Sequence, residues 1–298
     1  DHIFIISSMG NHVIEDVGTN PGQPGDNNDD GDIGTNPGQP GDNNDDGDIG
    51  TNPGQPGDNN DEDINNKEGL MNPIEPREPT AEEIAINSAD ELAKIGKTYP
   101  LNGKYILTSD IDLSNVDNWT PIGNNNSSSI FTGTFNGNGY SITGLTIDSP
   151  DTKYIGLFGY VQGAIIENVA LEDINVTGAN YTGGLVGYAI NSSTITNSYV
   201  TGSVIGTGHY TGGLVGGTWS NVTITNSYAT GEVTGTGNDT GGLVGRAMGN
   251  STITNSYATG SVTGEGDDTG GLVGEANNST IEKSYATGSV PGTGNYHT

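Results

Sequence analysis

The sequence contains no cysteine, which excludes disulfide bonds and thiol chemistry. It has only eight lysines and arginines against 37 acidic residues, which gives a formal net charge of -29. The basic residues are scattered, so a nucleic-acid-binding surface is excluded and an anionic membrane is disfavoured. Apolar residues make up 30% of the chain, fewer than a compact globule of this length normally has. The composition therefore predicts partial disorder and a narrow core.

Long apolar runs are also absent, and none could span a bilayer. Residues 3–7 are too short for the core of a signal peptide and lack a basic flank. The sequence opens without methionine and stops where another Thr-Gly-Gly-Leu would be due. We therefore expect an excised piece of a longer protein, with residues 1–17 as the tail of a preceding segment of unknown role.

Residues 18–65 repeat with a period of 16 and are rich in Pro, Gly, Asn and Asp. Such a segment cannot bury enough apolar surface to offset the entropy of ordering, and its carboxylates repel one another. We predict that residues 18–82 form a disordered, extended spacer.

The same repeat suggests a cation site as an alternative. Oxygen-bearing side chains alternate along it and are followed by Gly in two copies, as in the first half of a looped calcium site. The closing Glu of such a loop is missing, since Pro37 and Pro53 stand there. The hypothesis is weak Ca²⁺ binding that compacts the spacer, and no other cofactor is predicted. The candidate ligands are Asp26, Asn28, Asp30, Asp32, Asp42, Asn44, Asp46 and Asp48.

What the chain has in abundance is glycine, 50 residues in all, and much of it lies in a second repeat. The phrase Gly-Gly-Leu-Val-Gly begins at Gly183, Gly212, Gly241 and Gly270, always 29 residues apart. Three β-rich stretches separated by turn residues follow one another in each repeat, and helical periodicity is absent. Stacked coils would satisfy each strand edge and bury each apolar face. We predict an all-β solenoid of three-sided coils, in which the phrase forms one side and its glycines allow the corners.

Like residues then lie above like residues. An asparagine column is suited to a side-chain amide ladder, which ends where Lys283 replaces Asn. Arg246 and Glu275 share another column and should form an ion pair. The asparagine column is Asn168, Asn197, Asn226 and Asn255.

Toward the N-terminus the columns continue, but the repeat becomes less regular. Residues 83–150 are therefore predicted to hold an N-terminal cap and the first coils, and residues 151–298 the regular coils. Ser88 and Glu91 have capping-box spacing, which predicts a short helix that would cover the first coil. Strands are expected around residues 105–107 and 111–113.

Gly-Gly-Leu-Val-Gly followed by Thr-Ile-Thr-Asn-Ser-Tyr-Ala-Thr-Gly resembles the GLUG repeat of microbial surface proteins, over about residues 83–298. The resemblance implies a right-handed parallel β-helix on an exported, adhesin-like protein at the cell surface or outside the cell. It implies no catalytic residues, since the motif has none to carry over.

One column changes from aromatic to acidic along the stack, and it is the candidate ligand-binding face. Aromatic rings with amides nearby suit sugar rings, whereas a variable solvated turn is the simpler interpretation. Asn-x-Ser/Thr sequences are also frequent, for example at Asn175, Asn180, Asn221, Asn238 and Asn250, and many arise by composition alone. The candidate binding residues are Tyr181, His209, Tyr210, Asp239 and Asp268.

The sequence thus favours a non-catalytic stalk or adhesive face that meets a host or matrix glycan or protein. The alternative is a carbohydrate-binding or carbohydrate-active β-helix, either a lyase or a hydrolase. A hydrolase needs two carboxylates facing a cleft, and the near-identical coils leave little room for them.

Overall fold

The protein is described here by a computed structural model that covers residues 73–293. Within this range the paired strands are parallel and stack into a β-solenoid, so the predicted parallel β-helix is confirmed. Each regular repeat crosses four sheets, which we number in the order in which the chain meets them. In one repeat their strands are Thr182–Gly183, Val186–Ile190, Thr194–Thr196 and Tyr199–Gly206.

Sheet 1 holds two-residue strands and sheet 2 holds five-residue strands, and most of their residues are buried. Sheet 1 consists of Thr182–Gly183, Thr211–Gly212, Thr240–Gly241 and Thr269–Gly270. Sheet 2 consists of Phe158–Gln162, Val186–Ile190, Val215–Trp219, Val244–Met248 and Val273–Asn277.

Sheets 3 and 4 run further toward the N-terminal end. Sheet 3 consists of Ile84–Ile86, Lys104–Leu107, Thr134–Asn136, Ile165–Glu167, Thr194–Thr196, Thr223–Thr225, Thr252–Thr254 and Thr280–Glu282. Sheet 4 consists of Ile111–Asp112, Ser141–Thr143, Thr146–Ser149, Ala170–Gly178, Tyr199–Gly206, Tyr228–Ala229, Glu232–Gly235, Tyr257–Ala258, Val262–Gly264 and Tyr285–Ala286.

The Gly-Gly-Leu-Val-Gly phrase spans the bend between sheets 1 and 2, so the prediction that it forms one side of a three-sided coil is wrong. Its first glycine is needed because neighbouring backbone lies close. A Cβ added at Gly183 would lie 2.3 Å from the carbonyl oxygen of Val186. Several left-handed positions are taken instead by Asn, Tyr, Asp and Ser. Glycine therefore permits close packing in this phrase.

The core is a set of stacked columns, as the repeat predicts. Leu185, Leu214 and Leu243 are fully buried, and so are the valines that follow them. Toward the N-terminal end the core is more aromatic: Phe158 takes the place of Val186 and its ring centroid lies 4.9 Å from that of Phe131. The core side chains are thus larger in the N-terminal coils than in the regular coils.

The asparagine ladder is confirmed for Asn168, Asn197 and Asn226, and a bond to Asn136, from the column of Glu167, extends it by one coil. Among the bonds of the described residues, none continues it to Asn255, the last predicted member. Nδ2 of Asn168 donates to Oδ1 of Asn136 at 3.1 Å, and Asn197 and Asn226 continue the series at 3.2 Å each. Asn168, Asn197 and Asn226 also adopt left-handed backbone with φ of 61°, 47° and 49°. Asparagine suits these positions for two reasons: it tolerates the left-handed backbone, and its side-chain amide links successive coils.

A second ladder of rings runs along sheet 4. Tyr199 and Tyr228 stack at 4.8 Å with an interplanar angle of 3°, and Tyr228 and Tyr257 stack at 4.7 Å and 9°. Tyr257 and Tyr285 continue the stack at 5.2 Å. The coil spacing of about 4.8 Å sets this separation.

The predicted cap is present as the helix Ala89–Leu92. Oγ of Ser88 accepts a hydrogen bond from the amide of Glu91 at 3.3 Å, and Leu92 is buried in the core. The predicted strands near residues 105–107 and 111–113 are also present. The strand Ile84–Ile86, which precedes the helix and pairs with Lys104–Leu107, was not predicted.

Candidate functional site

The predicted ligand-binding column lies at the start of sheet 1, one residue before each strand. Every member has left-handed backbone, with φ between 58° and 69°, which is uncommon for tyrosine. The column starts one coil earlier than the sequence analysis placed it, at Tyr154. Its members in order are Tyr154, Tyr181, Tyr210, Asp239 and Asp268.

A second column runs beside it on sheet 2, at the residue that directly follows each Gly-Leu-(Phe/Val)-Gly phrase. Strand register places Tyr188 between Tyr160 and Gly217, and then Arg246 before Glu275. Sequence reasoning found only the last pair. Reading the same column backward would have revealed the tyrosines, because the phrase and its spacing persist in those coils.

The tyrosines of the two columns form one packed group, which we call the tyrosine cluster. Tyr181 lies at its centre, with ring centroids 4.3 Å from Tyr188, 4.5 Å from Tyr210 and 5.2 Å from Tyr154. The cluster consists of Tyr154, Tyr160, Tyr181, Tyr188 and Tyr210. Gly217 makes room for it, since a Cβ there would lie 3.0 Å from the ring of Tyr181.

Ring faces inside this cluster are therefore directed at other rings. Tyr154 and Tyr181 are stacked with an interplanar angle of 16°. At the other end the guanidinium of Arg246 lies over the ring of Tyr210, 5.0 Å from its centroid. Burial raises the pKa of Tyr181 to about 12 and also raises the pKa of Tyr188, so both phenols are protonated at neutral pH. The cluster can offer hydroxyl groups more readily than ring faces.

His209 belongs to a neighbouring ladder that holds the coils together. The backbone amide of His209 donates to Oδ1 of Asn180 at 3.2 Å, and Nδ1 of His209 accepts from the amide of Asn238 at 3.0 Å. Oδ1 of Asn238 then accepts from the amide of Asp267 at 3.3 Å. One nitrogen of this exposed histidine is thus engaged in coil stacking.

The acidic end of the two columns forms a charged cluster of Asp239, Arg246, Asp268 and Glu275. Nε of Arg246 lies 2.6 Å from Oε2 of Glu275, as the shared column predicted, and 3.3 Å from Oδ2 of Asp239. Nη1 of Arg246 donates to the hydroxyl of Tyr210 at 3.0 Å, which joins the charged cluster to the tyrosine cluster.

Asp239 is the buried member of the charged cluster, with 5% of its side chain exposed. Burial, followed by a hydrogen bond and repulsion from Glu275, raises the pKa of Asp239 to about 8. Burial and the charge of Glu275 also raise the pKa of Asp268. Asp239 therefore keeps its proton at neutral pH, and Arg246 lies against the side chains of both Asp239 and Glu275.

Two clefts lie elsewhere, near the N-terminal cap. One has a volume of about 580 Å³ and is bordered by Lys97, Asn102 and Gln162. The other, of about 390 Å³, is bordered by Asp90, Leu101 and Trp119. Neither cleft is lined by a residue of the tyrosine cluster or of the charged cluster.

The candidate calcium ligands from Asp26 to Asp48 lie outside the described residues, and calcium binding there stays a prediction. Within residues 73–293, no three His, Asp or Glu side chains come together in a group that could hold a metal ion. Over the same range, no helix is long and apolar enough to cross a membrane.

The geometry defines a tandem-repeat parallel β-solenoid whose lateral face carries an aromatic and a charged section. Four segments match the family described as the GLUG motif, at residues 178–205, 207–234, 236–263 and 267–290. The prediction that these coils are GLUG repeats is confirmed.

Two relatives share part of this sequence. Halomucin of Haloquadratum walsbyi is 36% identical over 115 residues, which are 35% of this chain and 1% of that protein. A proposed Gly-rich membrane protein of Evansella cellulosilytica is 42% identical over 81 residues, 24% of this chain and 9% of that protein. The chain thus spans a small part of each relative.

A similar solved structure is that of a proposed immunoglobulin A1 protease from Bacteroides ovatus. The two chains are 18% identical, the match covers 71% of this chain and 83% of that chain, and the TM-score is 0.45.

Proposed function

We propose that this chain is a non-catalytic stalk region of a microbial surface protein. The observation that carries the proposal is the unbroken register of the coils. In sheet 3, Ile195 pairs with Ile224 and Ile224 with Ile253, and the flanking threonines pair in the same way. A solenoid of this kind gains length with each added coil, while each coil contacts only its neighbours.

The surface location is supported by the GLUG repeats and by the names of the relatives. Because the chain spans only 1% and 9% of those relatives, their whole-protein activities are not transferred to it. A stalk needs no binding site on its lateral face. The two columns described above stabilise the stacked coils instead, because their rings pack against rings and their charged groups pair with each other.

The experiment is antibody labelling of intact cells of the source organism, with an antibody raised against residues 178–290. Labelling without permeabilisation, and its loss after brief protease treatment of whole cells, is the expected result. Labelling that requires lysed cells would contradict a surface stalk.

A carbohydrate-binding face is the second candidate, and the phenol hydroxyls of the tyrosine cluster favour it. Its weakness is the ring packing, because a sugar that stacks on tyrosine needs a free ring face. A glycan array with the whole chain tests it, with Tyr210→Phe as the matched variant. Binding that Tyr210→Phe abolishes would support this face, and the absence of binding would leave only the stalk.

A further inference from the structure

The turn between sheets 2 and 3 carries a modifiable sequence in four successive repeats. It occupies one column in the last three repeats, and in the first it lies one residue earlier, in the column of Ser220 and Gly249. Each turn contains an asparagine followed two residues later by serine or threonine, the acceptor sequence for N-linked glycans. We call these residues the asparagine corner. They are Asn191, Asn221, Asn250 and Asn278.

All four members of the asparagine corner are exposed, and the backbone amides of Asn191, Asn221 and Asn250 bond to the next coil. The amide of Asn191 donates to the carbonyl of Trp219 at 3.0 Å, and the amide of Asn221 to that of Gly249 at 2.8 Å. The four residues have left-handed φ of 52°, 60°, 62° and 49°. A fixed turn of this kind presents the side chains of Asn221, Asn250 and Asn278 to solvent from one column, and that of Asn191 from the position before it.

The side-chain amides of the asparagine corner are almost free of contacts. Asn221 has one long contact, 3.5 Å from Nδ2 to Oγ of Ser220. In the part of the chain that the structure describes, the side-chain amides of Asn191, Asn250 and Asn278 make no hydrogen bond, although the backbone amides of Asn191 and Asn250 do. An attached sugar would therefore displace nothing at these positions.

Two other acceptor sequences, at Asn180 and Asn238, differ in this respect. Oδ1 of Asn180 accepts from the amide of His209, and Oδ1 of Asn238 accepts from the amide of Asp267. Both side chains are thus held by the neighbouring coil, so their Nδ2 atoms are not free to turn toward a transferase. These two asparagines are therefore matched controls, since they have the acceptor sequence but a side chain that is bonded to the next coil.

The left-handed turn alone explains an asparagine or a glycine at the corner, as Gly249 shows beside Asn250. In the last three repeats the hydroxyl residue two positions later is also the first residue of a sheet 3 strand, in the column of Thr194, where a strand favours threonine. That residue is Ser193, Thr223, Thr252 and Thr280 in the four repeats.

We propose that the asparagine corner is N-glycosylated, an inference that rests on the proposed surface location. In the reaction, Nδ2 of asparagine forms a bond to the anomeric carbon of a glycan carried on a lipid diphosphate. The bond from that carbon to the diphosphate oxygen breaks, Nδ2 loses one proton, and the lipid diphosphate leaves. A membrane-bound transferase of the host supplies the donor.

Coil spacing limits how many of the four sites one molecule can carry. Successive corners lie about 4.8 Å apart along the stack. An oligosaccharide is wider than this, so a glycan on Asn221 hinders one on Asn250. Occupancy on alternate coils is the expected pattern, and it would line one edge of the solenoid with sugar.

The test uses the full chain purified from its source organism. An amidase releases N-glycans in ¹⁸O-labelled water, which converts each modified asparagine to labelled aspartate, and peptide mass spectrometry locates the label. We expect label at two or more corner sites and none at Asn180 or Asn238. No label at the four sites, or equal label at Asn180, would overturn the proposal.

A variant pair in the same host adds an independent measurement. Replacing the four corner asparagines by aspartate keeps a residue that tolerates the turn and should remove the glycan mass from the intact protein, whereas Asn180→Asp should not. Labelling of intact cells separates the two ideas: surface labelling without glycan overturns only this inference, and absence of surface labelling overturns the stalk as well.

Discussion

Arg246 and Glu275 lie 29 residues apart in the chain, and Nε of Arg246 lies 2.6 Å from Oε2 of Glu275 on the next coil. Asp239 completes the group from the adjacent column, 3.3 Å from the same nitrogen. The guanidinium of Arg246 therefore contacts two acidic side chains, and it links two columns across successive coils.

Removing the charge of Arg246 should destabilise the solenoid more than breaking an exposed ion pair does. Arg246→Gln leaves Asp239 and Glu275 close together, and we expect a loss of about 1–2 kcal/mol in the free energy of unfolding at pH 7. Urea denaturation followed by circular dichroism measures it. Lys104→Gln, which breaks the exposed pair with Glu82, is the control and should cost less than about 1 kcal/mol. Equal effects would show that Arg246 is merely a surface charge.

The buried carboxyl predicts a pH dependence. The pKa of Asp239 is about 8 in the folded chain and near 4 in an unfolded one, so between these values the folded chain holds the extra proton. Stability from this group is full below pH 4 and is lost as the pH rises toward 8. Asp239→Asn should therefore raise the melting temperature relative to the native chain at pH 9 and change it little at pH 5.

Thermal melts of both proteins at the two pH values make this comparison. Glu265→Gln removes the same charge from an exposed position and is the control. If Glu265→Gln gives the same pH-dependent gain, overall net charge and not the burial of Asp239 is responsible.

The asparagine ladder separates a backbone effect from a side-chain effect. Asn197→Ala removes two interamide bonds and places alanine at a φ of 47°, so we expect a loss of about 2–3 kcal/mol. Asn197→Gly removes the same bonds but tolerates the backbone, and should cost about 1 kcal/mol less. Chemical denaturation of the two variants would contradict this account if they were equally stable.

The tyrosine ladder of sheet 4 should depend on the ring and not on the hydroxyl. Tyr228 stacks on Tyr199 and Tyr257 at 4.8 and 4.7 Å. Tyr228→Ala should cost about 2–4 kcal/mol because it opens a gap in a half-buried stack, whereas Tyr228→Phe should cost under about 1 kcal/mol. A large loss for the phenylalanine variant in the same denaturation assay would contradict ring stacking as the main contribution.

The repeat period revealed the columns but not how the side chains in them are turned. Identical spacing was enough to place Arg246 above Glu275 and Asn197 above Asn168. It could not show that the rings of Tyr181 and Tyr210 cover each other, because that depends on the left-handed backbone before sheet 1. Tyr160 and Tyr188 were missed because the column after the phrase was followed in only two coils.

The bend inside the Gly-Gly-Leu-Val-Gly phrase was missed for a related reason. Leu185 and Val186 are both buried although they are adjacent, which a single straight strand with alternating faces does not allow. The chain turns between them, and Gly183 permits the close backbone contact at that turn. Composition suggested glycines at corners, but only the backbone shows which corner and why.

The most direct test of the stalk is a distance measured along it. The chain has no cysteine, so Thr134→Cys and Thr252→Cys can carry the only two spin labels, on strands of sheet 3 four coils apart. Electron–electron double resonance should give a narrow distribution near 19 Å, which moves to about 24 Å when a second copy of residues 212–240 is inserted. A broad distribution, or a distance that the extra coil leaves unchanged, would contradict a rigid solenoid whose length grows by one coil per repeat.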